Sequence, residues 1–324
     1  MNQATLELAP PTTDVADRTG FDIGWDHARH GLVPPAPLLH AGTPVCQGWM
    51  AGRAVLGRRT AGTQRTTRQW LQLRLQAWRA GVAFDARQVT PQHLARIHVT
   101  RCPVLRLPLG GTAADPAAPV VERIDPGRGC VAGNLAVISR RAARARDGVD
   151  LLQAVRHARR SEGDGELVDG LAAAAWWRLA VLRSFVTPLP LHQAARLPLA
   201  LLPPAGVRPV NAVQRLQVLV TRQFAAPGWS DRTRDIAALL PAHTLRHDFN
   251  LFVGALAPRV LEAGANPADR PQALEDAWLH ERVQRRWQHF VLSLGEAGVE
   301  ALLARAAGGA GATAPAGCRA VSGP

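Results

Sequence analysis

The sequence predicts a mainly α-helical fold, with an α+β first domain that contains a small strand–strand–helix segment and a helical bundle as second domain. Two observations predict this arrangement. Apolar residues recur at helical spacing through much of the chain, as at Trp70, Leu71, Leu75 and Trp78. Residues 120–139 instead form two short apolar runs separated by a turn rich in proline and glycine, which is typical of two strands.

Composition divides the chain into four segments. Residues 1–20 are polar and acidic, and they predict a disordered N-terminus. Residues 21–150 form the predicted first domain and residues 151–307 the helical bundle. Residues 308–324, rich in glycine, alanine and proline, predict a disordered tail.

The first domain is expected to begin irregularly, because prolines interrupt the segment from Phe21 to Gly48. A helical pattern starts near Thr60, and Gly81 is a suitable end for it. A second helix is expected from Thr90, with threonine as N-cap and proline at the first helical position, to about His98.

Further along, Cys102–Thr112 predicts a strand and a turn, and the arginine-rich segment Arg140–Arg146 predicts a helix after the second apolar run. The second half has helical patterns separated by proline-rich joints. The predicted helical segments are Leu171–Val186, Ala212–Ala225, Arg232–Leu240, Leu245–Ala263 and Pro267–Ala307.

The charge balance favours a polyanionic partner. The formal net charge is +13, and all 38 basic residues are arginine, a bias that also fits a GC-rich genome. From Trp49 to Arg106 there are 11 arginines and one acidic residue, Asp85. Nucleic acid is the commonest partner of such a segment. The alternative is a solvated, arginine-rich helix face.

Cysteine usage and hydropathy limit the class of protein. The four cysteines, at positions 46, 102, 130 and 318, form no CxxC pair, which argues against a zinc ribbon or a disulfide framework. The first twenty residues do not resemble a signal peptide. No apolar run reaches the length of a membrane span. We therefore expect a cytoplasmic protein without a membrane partner.

One set of short motifs points to a particular chemistry. In chain order they are Cys102-Pro-Val, Leu107-Pro-Leu109, Glu122-Arg-Ile-Asp125, Gly129, Gly133-Asn-Leu135 and Ile138-Ser139. Their order and spacing resemble the HNH endonuclease family, also called His-Me or ββα-metal fingers, and most closely its phage and bacterial members. The resemblance covers residues 102–146. The flanking segments resemble HNH-related proteins of GC-rich proteobacteria.

The resemblance implies a finger that holds one divalent cation, usually Mg²⁺, against the scissile phosphate. In the family a histidine on the first strand activates water, an asparagine after the turn fixes the hairpin, and a helix residue completes the metal shell. Carried over by position, Glu122 is the metal carboxylate, Arg123 occupies the position of the base, and Asn134 is the structural asparagine. Ala143 occupies the position of the helix ligand, and Arg146 replaces a lysine.

Three departures from the family pattern favour weak or lost cleavage. Arg123 stays protonated and is therefore a poor base. Ala143 offers no ligand. Glu122 in place of aspartate would displace the ion by about an ångström, which Mg²⁺ tolerates poorly. His98 is a candidate replacement base, as is His93 on the same helix, although a surface or capping role explains either. Asp125 is a candidate second carboxylate or a simple turn residue.

The leading hypothesis is binding of DNA or RNA by a diverged HNH-like domain. The arginines expected to contact phosphates are Arg58, Arg59, Arg65, Arg68, Arg140, Arg141, Arg144 and Arg146. One alternative is an active Mg²⁺-dependent endonuclease that uses Glu122 and Asn134; otherwise no cofactor is expected. A second alternative is a helical interaction or scaffold protein with a vestigial finger. Two histidine pairs, His27 with His30 and His243 with His247, have helical spacing but lack a third ligand.

Overall fold

The computed structural model describes residues 15–57, 59–264, 266 and 268–310. These residues are mainly helical, with one small two-stranded antiparallel sheet, which confirms the coarse fold class. They fall into two compact units. Unit 1 contains the described residues up to His98 together with Pro126–Leu135, and unit 2 contains Val99–Asp125 and the described residues from Ala136 onward. This division differs from the predicted boundary after residue 150.

Unit 1 is built from four α-helices and one 3-10 helix within its described part. They are α1 (Val15–Arg29), the 3-10 helix Ala36–Leu38, α2 (Pro44–Leu56), α3 (Arg65–Arg79) and α4 (Pro91–Ile97). The predictions for α3 and α4 are confirmed. The Thr90 side chain accepts the His93 N–H at 3.2 Å and caps α4, and Gly81 lies in the left-handed region after α3.

The prediction for the first part of the chain is wrong. Residues 15–20, expected to be disordered, form the first turns of α1, and the segment Phe21–Gly48, expected to be irregular, contains the rest of α1 and the start of α2. The remainder of the predicted disordered N-terminus, residues 1–14, lies outside the described residues.

Close packing of α1 on α2 explains why this segment is helical. Both helices carry glycines four residues apart, Gly20 and Gly24 in α1 and Gly48 and Gly52 in α2. A Cβ atom on Gly24 would lie 1.9 Å from the Val45 carbonyl oxygen, and one on Gly48 would lie 1.9 Å from the Phe21 carbonyl oxygen. The glycines therefore allow the two backbones to touch, which compensates for their low helix propensity.

The segment that leads to the sheet is also different from its prediction. Cys102–Thr112 forms turns rather than a strand, and its pairing is limited to an isolated bridge between Arg101 and Pro108. The buried Cys102 sulfur accepts the Leu105 N–H at 3.4 Å and the Ser139 N–H at 3.3 Å. The bond from Leu105 is local and favours a tight turn over an extended chain, whereas the bond from Ser139 ties this turn to the end of the second apolar run.

The sheet consists of β1 (Pro119–Arg123) and β2 (Leu135–Ser139), and α5 (Arg140–Ala145) follows directly. Side chains of β1 are half-buried, whereas those of β2 are all buried. Ser139 ends β2 and caps α5, because its Oγ accepts the Ala142 N–H at 3.3 Å. The chain therefore has the predicted order of strand, turn, strand and helix.

The rest of unit 2 is helical, as predicted for the second half of the chain. The elements are α6 (Leu151–Asp164), α7 (Ala173–Ser184), α8 (Leu191–Ala194), α9 (Ala212–Gln223), α10 (Trp229–Ala238), α11 (His243–Ala263), α12 (Arg270–Asp276), the 3-10 helix Ala277–Leu279 and α13 (Glu281–Ala310). The single segment predicted over 267–307 is thus interrupted by the 3-10 helix, and α13 is kinked at Gly295. α13 extends to Ala310, three residues into the predicted tail, and residues 311–324 lie outside the described part.

An aromatic cluster forms the centre of this helical region. Trp287 packs against Phe252, Trp278 and Phe290, with ring centroids 5.1, 5.2 and 6.0 Å apart respectively. All four rings are buried. In the part of the chain that the structure describes, no helix combines the length and the apolar character needed to cross a membrane.

A buried ionic network joins α7 and α12 to the turns that precede the sheet. Arg106 donates to Asp276 at 2.6 Å and to Glu275 at 2.9 Å. Arg178 on α7 donates to the Val104 carbonyl at 3.0 Å and contacts Asp276 at 3.3 Å. Because each guanidinium group has a carboxylate partner, the network holds the segment around Cys102 against the helices.

The close contact of α1 and α2 leads to a prediction for the glycines. Gly24→Ala should lower the free energy of unfolding by about 2 kcal/mol or more, because the new methyl group overlaps a backbone carbonyl. The matched control is Gly254→Ala in α11, where a Cβ would meet nothing within 4 Å; it should stabilise by about 0.5–1 kcal/mol. Chemical denaturation of both variants measures the difference, and equal effects would contradict the packing argument.

Candidate functional site

Glu122 lies on β1 beside a guanidinium group that α5 brings to the sheet. Its Oε2 atom is 3.8 Å from Nη2 of Arg146, the residue at the C-terminal end of α5, and its side chain is 36% exposed. The same Arg146 nitrogen donates a shorter hydrogen bond, 2.6 Å, to the Arg123 carbonyl. The two strands and the helix thus place one carboxylate next to one arginine that is fixed to the backbone.

Burial shifts the pKa values of both members of this pair. It raises the pKa of the Glu122 carboxyl, while the positive charges of Arg146 and Arg123 act in the opposite direction and Asp147 adds to the increase. Burial also lowers the pKa of Arg146, and the charge of Glu122 partly offsets that effect. Arginine remains protonated at physiological pH even so. The surroundings of Glu122 are therefore cationic.

These residues do not fit a Mg²⁺ ion, which requires several oxygen ligands in near-octahedral geometry. The nearest charged group to Glu122 is a guanidinium, which repels a cation. The next carboxylate in the sequence, Asp125, pairs with Arg183 at 3.0 Å, and position 143 is an alanine. Among the described residues, no three histidine, cysteine, aspartate or glutamate side chains are grouped so that they could hold a metal ion.

Arg123 occupies the last position of β1 and is half-buried. Its guanidinium group stays charged at any working pH, so it cannot take a proton from water. What it can supply is positive charge and planar hydrogen-bond donors, which suit a phosphate oxygen.

Asn134 fixes the turn between the strands, within unit 1. Its side chain is fully buried and donates to the Gly129 carbonyl at 3.0 Å, while its own N–H donates to the Val131 carbonyl at 3.1 Å. The turn is also paired to the segment after α3, since the Cys130 N–H donates to Ala83 at 2.8 Å. These hydrogen bonds hold the turn between the two strands.

The two histidines considered as replacement bases have different environments. His98 follows α4 in unit 1 and is exposed. His93 is buried, with its Nδ1 3.4 Å from Arg96 Nη2 and its Nε2 without a hydrogen-bond partner in the described structure. The burial of His93 removes it from contact with a substrate.

The surface of unit 1 is strongly cationic. Of the arginines predicted to contact phosphates, Arg59, Arg65 and Arg68 are exposed, and Arg58 lies outside the described residues. The described part of unit 1 has ten exposed arginines and two exposed aspartates, Asp17 and Asp22. The exposed arginines are Arg18, Arg29, Arg53, Arg59, Arg65, Arg68, Arg79, Arg87, Arg96 and Arg128.

Arg74 and Trp70 lie in the basic segment of the sequence but are internal. Arg74 pairs with Asp26 and lies 4.7 Å above the Trp70 ring. Trp70 is 8% exposed and donates its ring N–H to the Val89 carbonyl at 2.7 Å. Neither residue is available to a nucleic acid, and Trp70 cannot act as a stacking platform.

The four arginines predicted to contact phosphates from the α5 region of unit 2 are not equivalent. Arg144 is exposed. Arg141 donates to the Gly170 carbonyl, and Arg146 is held against β1 with a side chain 14% exposed. Arg140 is half-buried, and its Nε atom has no hydrogen-bond partner in the described structure. The sequence did not distinguish these roles, because all four carry the same charge in a short helical run.

Comparison with protein families, with curated proteins and with solved structures finds no match to this chain.

The buried position of Asn134 predicts a structural effect of its removal. Asn134→Ala leaves the Gly129 carbonyl without this donor and should lower the free energy of unfolding by about 1–3 kcal/mol. Gln92→Ala, at an exposed position of α4, is the control and should change it by less than about 0.5 kcal/mol. Denaturant titration measures the free energy of unfolding of both variants. If the Asn134 variant is as stable as the control, the bond from Asn134 to Gly129 does not stabilise the turn.

The surroundings of three histidines lead to the prediction that unit 1 loses stability as the pH falls. Burial is the main cause that lowers the pKa of His27, His30 and His93. The unfolded chain therefore binds protons that the folded unit excludes. The stabilisation is complete above the ordinary histidine pKa of about 6.5 and is lost as the pH falls through the lowered values.

Hydrogen-exchange mass spectrometry on α1–α4 at pH values of about 7.5 and about 5.5 measures this effect. We expect faster exchange at the lower pH in the native protein and a smaller difference in His93→Gln. The exposed His98→Gln should behave like the native protein. Exchange that does not depend on these pH values, after correction for the intrinsic rate, would contradict the prediction.

Proposed function

We propose that this protein binds nucleic acid through the arginine-rich surface of unit 1, and that residues 102–146 are a diverged HNH-like finger with weak or lost cleavage. The observation that carries the proposal is the ratio of ten exposed arginines to two exposed aspartates in the described part of unit 1. A surface of this charge attracts a polyanion and releases its condensed counterions.

The chemistry of the exposed side chains favours contacts with the phosphate backbone. Each guanidinium group is permanently charged and presents its donors in a plane that matches two phosphate oxygens. Arg65 and Arg68 begin α3 three residues apart, so both belong to one helical face. Phosphate contacts determine affinity but carry little sequence information. We therefore propose binding with low sequence specificity.

The surroundings of Glu122 support the second part of the proposal. A nuclease of this type needs a base and a set of metal ligands, whereas Glu122 has a guanidinium partner, the base position is Arg123, and the helix position is Ala143. The bond from the Asn134 side chain to the Gly129 carbonyl supports a role for Asn134 in fixing the hairpin. The residues that remain serve the shape of the segment and its positive charge rather than hydrolysis.

Binding is tested by fluorescence anisotropy with a labelled DNA duplex at NaCl concentrations of about 50 and about 200 mM. For a footprint of about four phosphates, the affinity should fall roughly 100-fold between these concentrations. The double variant Arg65→Gln/Arg68→Gln should bind more weakly and reduce the salt slope by about 2. The matched control is Arg259→Gln/Arg282→Gln, at two exposed arginines of unit 2, which should keep the native slope.

Affinity that does not change with salt would reject phosphate contacts as the source of binding. Single-stranded DNA and RNA of the same length, measured in parallel, identify the preferred strand type. Absence of binding to all three would favour a helical scaffold protein.

Cleavage is tested on supercoiled plasmid with Mg²⁺ or Mn²⁺. We expect no nicking by the native protein at concentrations that saturate binding. Nicking that is abolished by Glu122→Gln, a variant that keeps the size of the side chain, would instead support the metal-dependent endonuclease.

A further inference from the structure

Unit 2 has an apolar groove that the nucleic-acid proposal does not use. It lies between α6 and the segment that contains α8. Its aliphatic lining comes from Leu151, Leu152, Val155, Leu189 and Leu197. Leu152 is 62% exposed, so the floor of the groove meets solvent. The polar residues around this floor are Arg159, His192, Gln193 and Arg196.

Two guanidinium groups border this groove and also line the depression next to it. Arg159 and Arg196 are common to both. Each is exposed, and neither side chain has a hydrogen bond or an ion pair with another described residue. The carboxylates of the second depression do have partners, because Glu162 accepts the Trp177 ring N–H at 2.7 Å and Glu281 is 3.5 Å from Arg285. The unpartnered charge around the groove is thus positive.

This combination selects the chemistry of an occupant. The aliphatic floor matches leucine-like side chains and offers no aromatic ring on which a base could stack. The two arginines match carboxylates on either side of such an apolar stripe. One wall is the helix α6 and the other is the short helix α8 with the turns beside it, and neither contains a strand, so a partner has no strand edge to extend. Recognition must occur through side chains, as when an amphipathic helix lies in a groove.

We propose that the groove binds an acidic amphipathic helix of a partner protein, with its apolar stripe on Leu152 and Val155 and its carboxylates on Arg159 and Arg196. This surface belongs entirely to unit 2, and the proposal does not depend on nucleic-acid binding by unit 1.

The probes are two labelled helical peptides of about 15 residues with leucines at every third or fourth position. The first carries glutamate and the second lysine at the positions that flank the leucines. Anisotropy with the full chain should show binding of the glutamate peptide and at least about tenfold weaker binding of the lysine peptide. Arg159→Glu/Arg196→Glu should reverse this preference, and Leu152→Glu should weaken the glutamate peptide about tenfold or more.

The matched control is Arg259→Glu/Arg282→Glu, which reverses two exposed charges elsewhere in unit 2 and should leave both affinities unchanged. Thermal melting of every variant confirms that it is folded. The proposal is overturned if neither peptide binds, if both bind equally, or if charge reversal at Arg159 and Arg196 has no effect. Two further results together would assign the groove to nucleic acid instead. A DNA duplex would displace the glutamate peptide from the native protein, and charge reversal at Arg159 and Arg196 would weaken the binding of that duplex.

Discussion

The contact between Glu122 and Arg146 is the constraint on which the proposed loss of cleavage depends. The hairpin presents one carboxylate, and the helix that follows returns a guanidinium group to it at 3.8 Å. The space that a divalent cation would occupy in an HNH-like finger is therefore adjacent to a fixed positive charge. A phosphate group gains from that charge, whereas a metal ion does not. The proposal of binding without cleavage is consistent with this arrangement of charges.

The two units contribute different properties to the proposed function. Unit 1 exposes ten arginines of its described part and buries His27 and His93, so its surface carries permanent positive charge while its stability is expected to depend on pH. Unit 2 uses several arginines internally, where Arg106 and Arg178 pair with carboxylates of α12 and Arg146 supports β1. Part of the formal charge of +13 is therefore neutralised within unit 2 and is not available to a partner.

Local sequence signals predicted much of the fold. Thr90 with Pro91 marked the start of α4, and the strand–turn–strand–helix order of residues 119–145 followed from two apolar runs and an arginine-rich segment. The prolines of the segment Phe21–Gly48 were misleading, because they lie between α1 and α2 or at the first position of α2 and interrupt neither helix. For the candidate site, the position of Glu122 on a strand was predictable. The burial of Arg146 was not, since it depends on how α5 packs against β1.

The ionic network of unit 2 has a consequence for the order of folding. Arg106 meets its carboxylate partners across 169 and 170 positions of the chain. During synthesis, a nascent chain that has emerged only as far as α11 still lacks these carboxylates. Burying Arg106 and Arg178 at that stage would cost several kcal/mol. Completion of unit 2 must therefore wait until α12 emerges, whereas the α1–α2 pair can dock as soon as it is synthesised. The turns around Cys102 can therefore reach their final packing only after α12 has been synthesised.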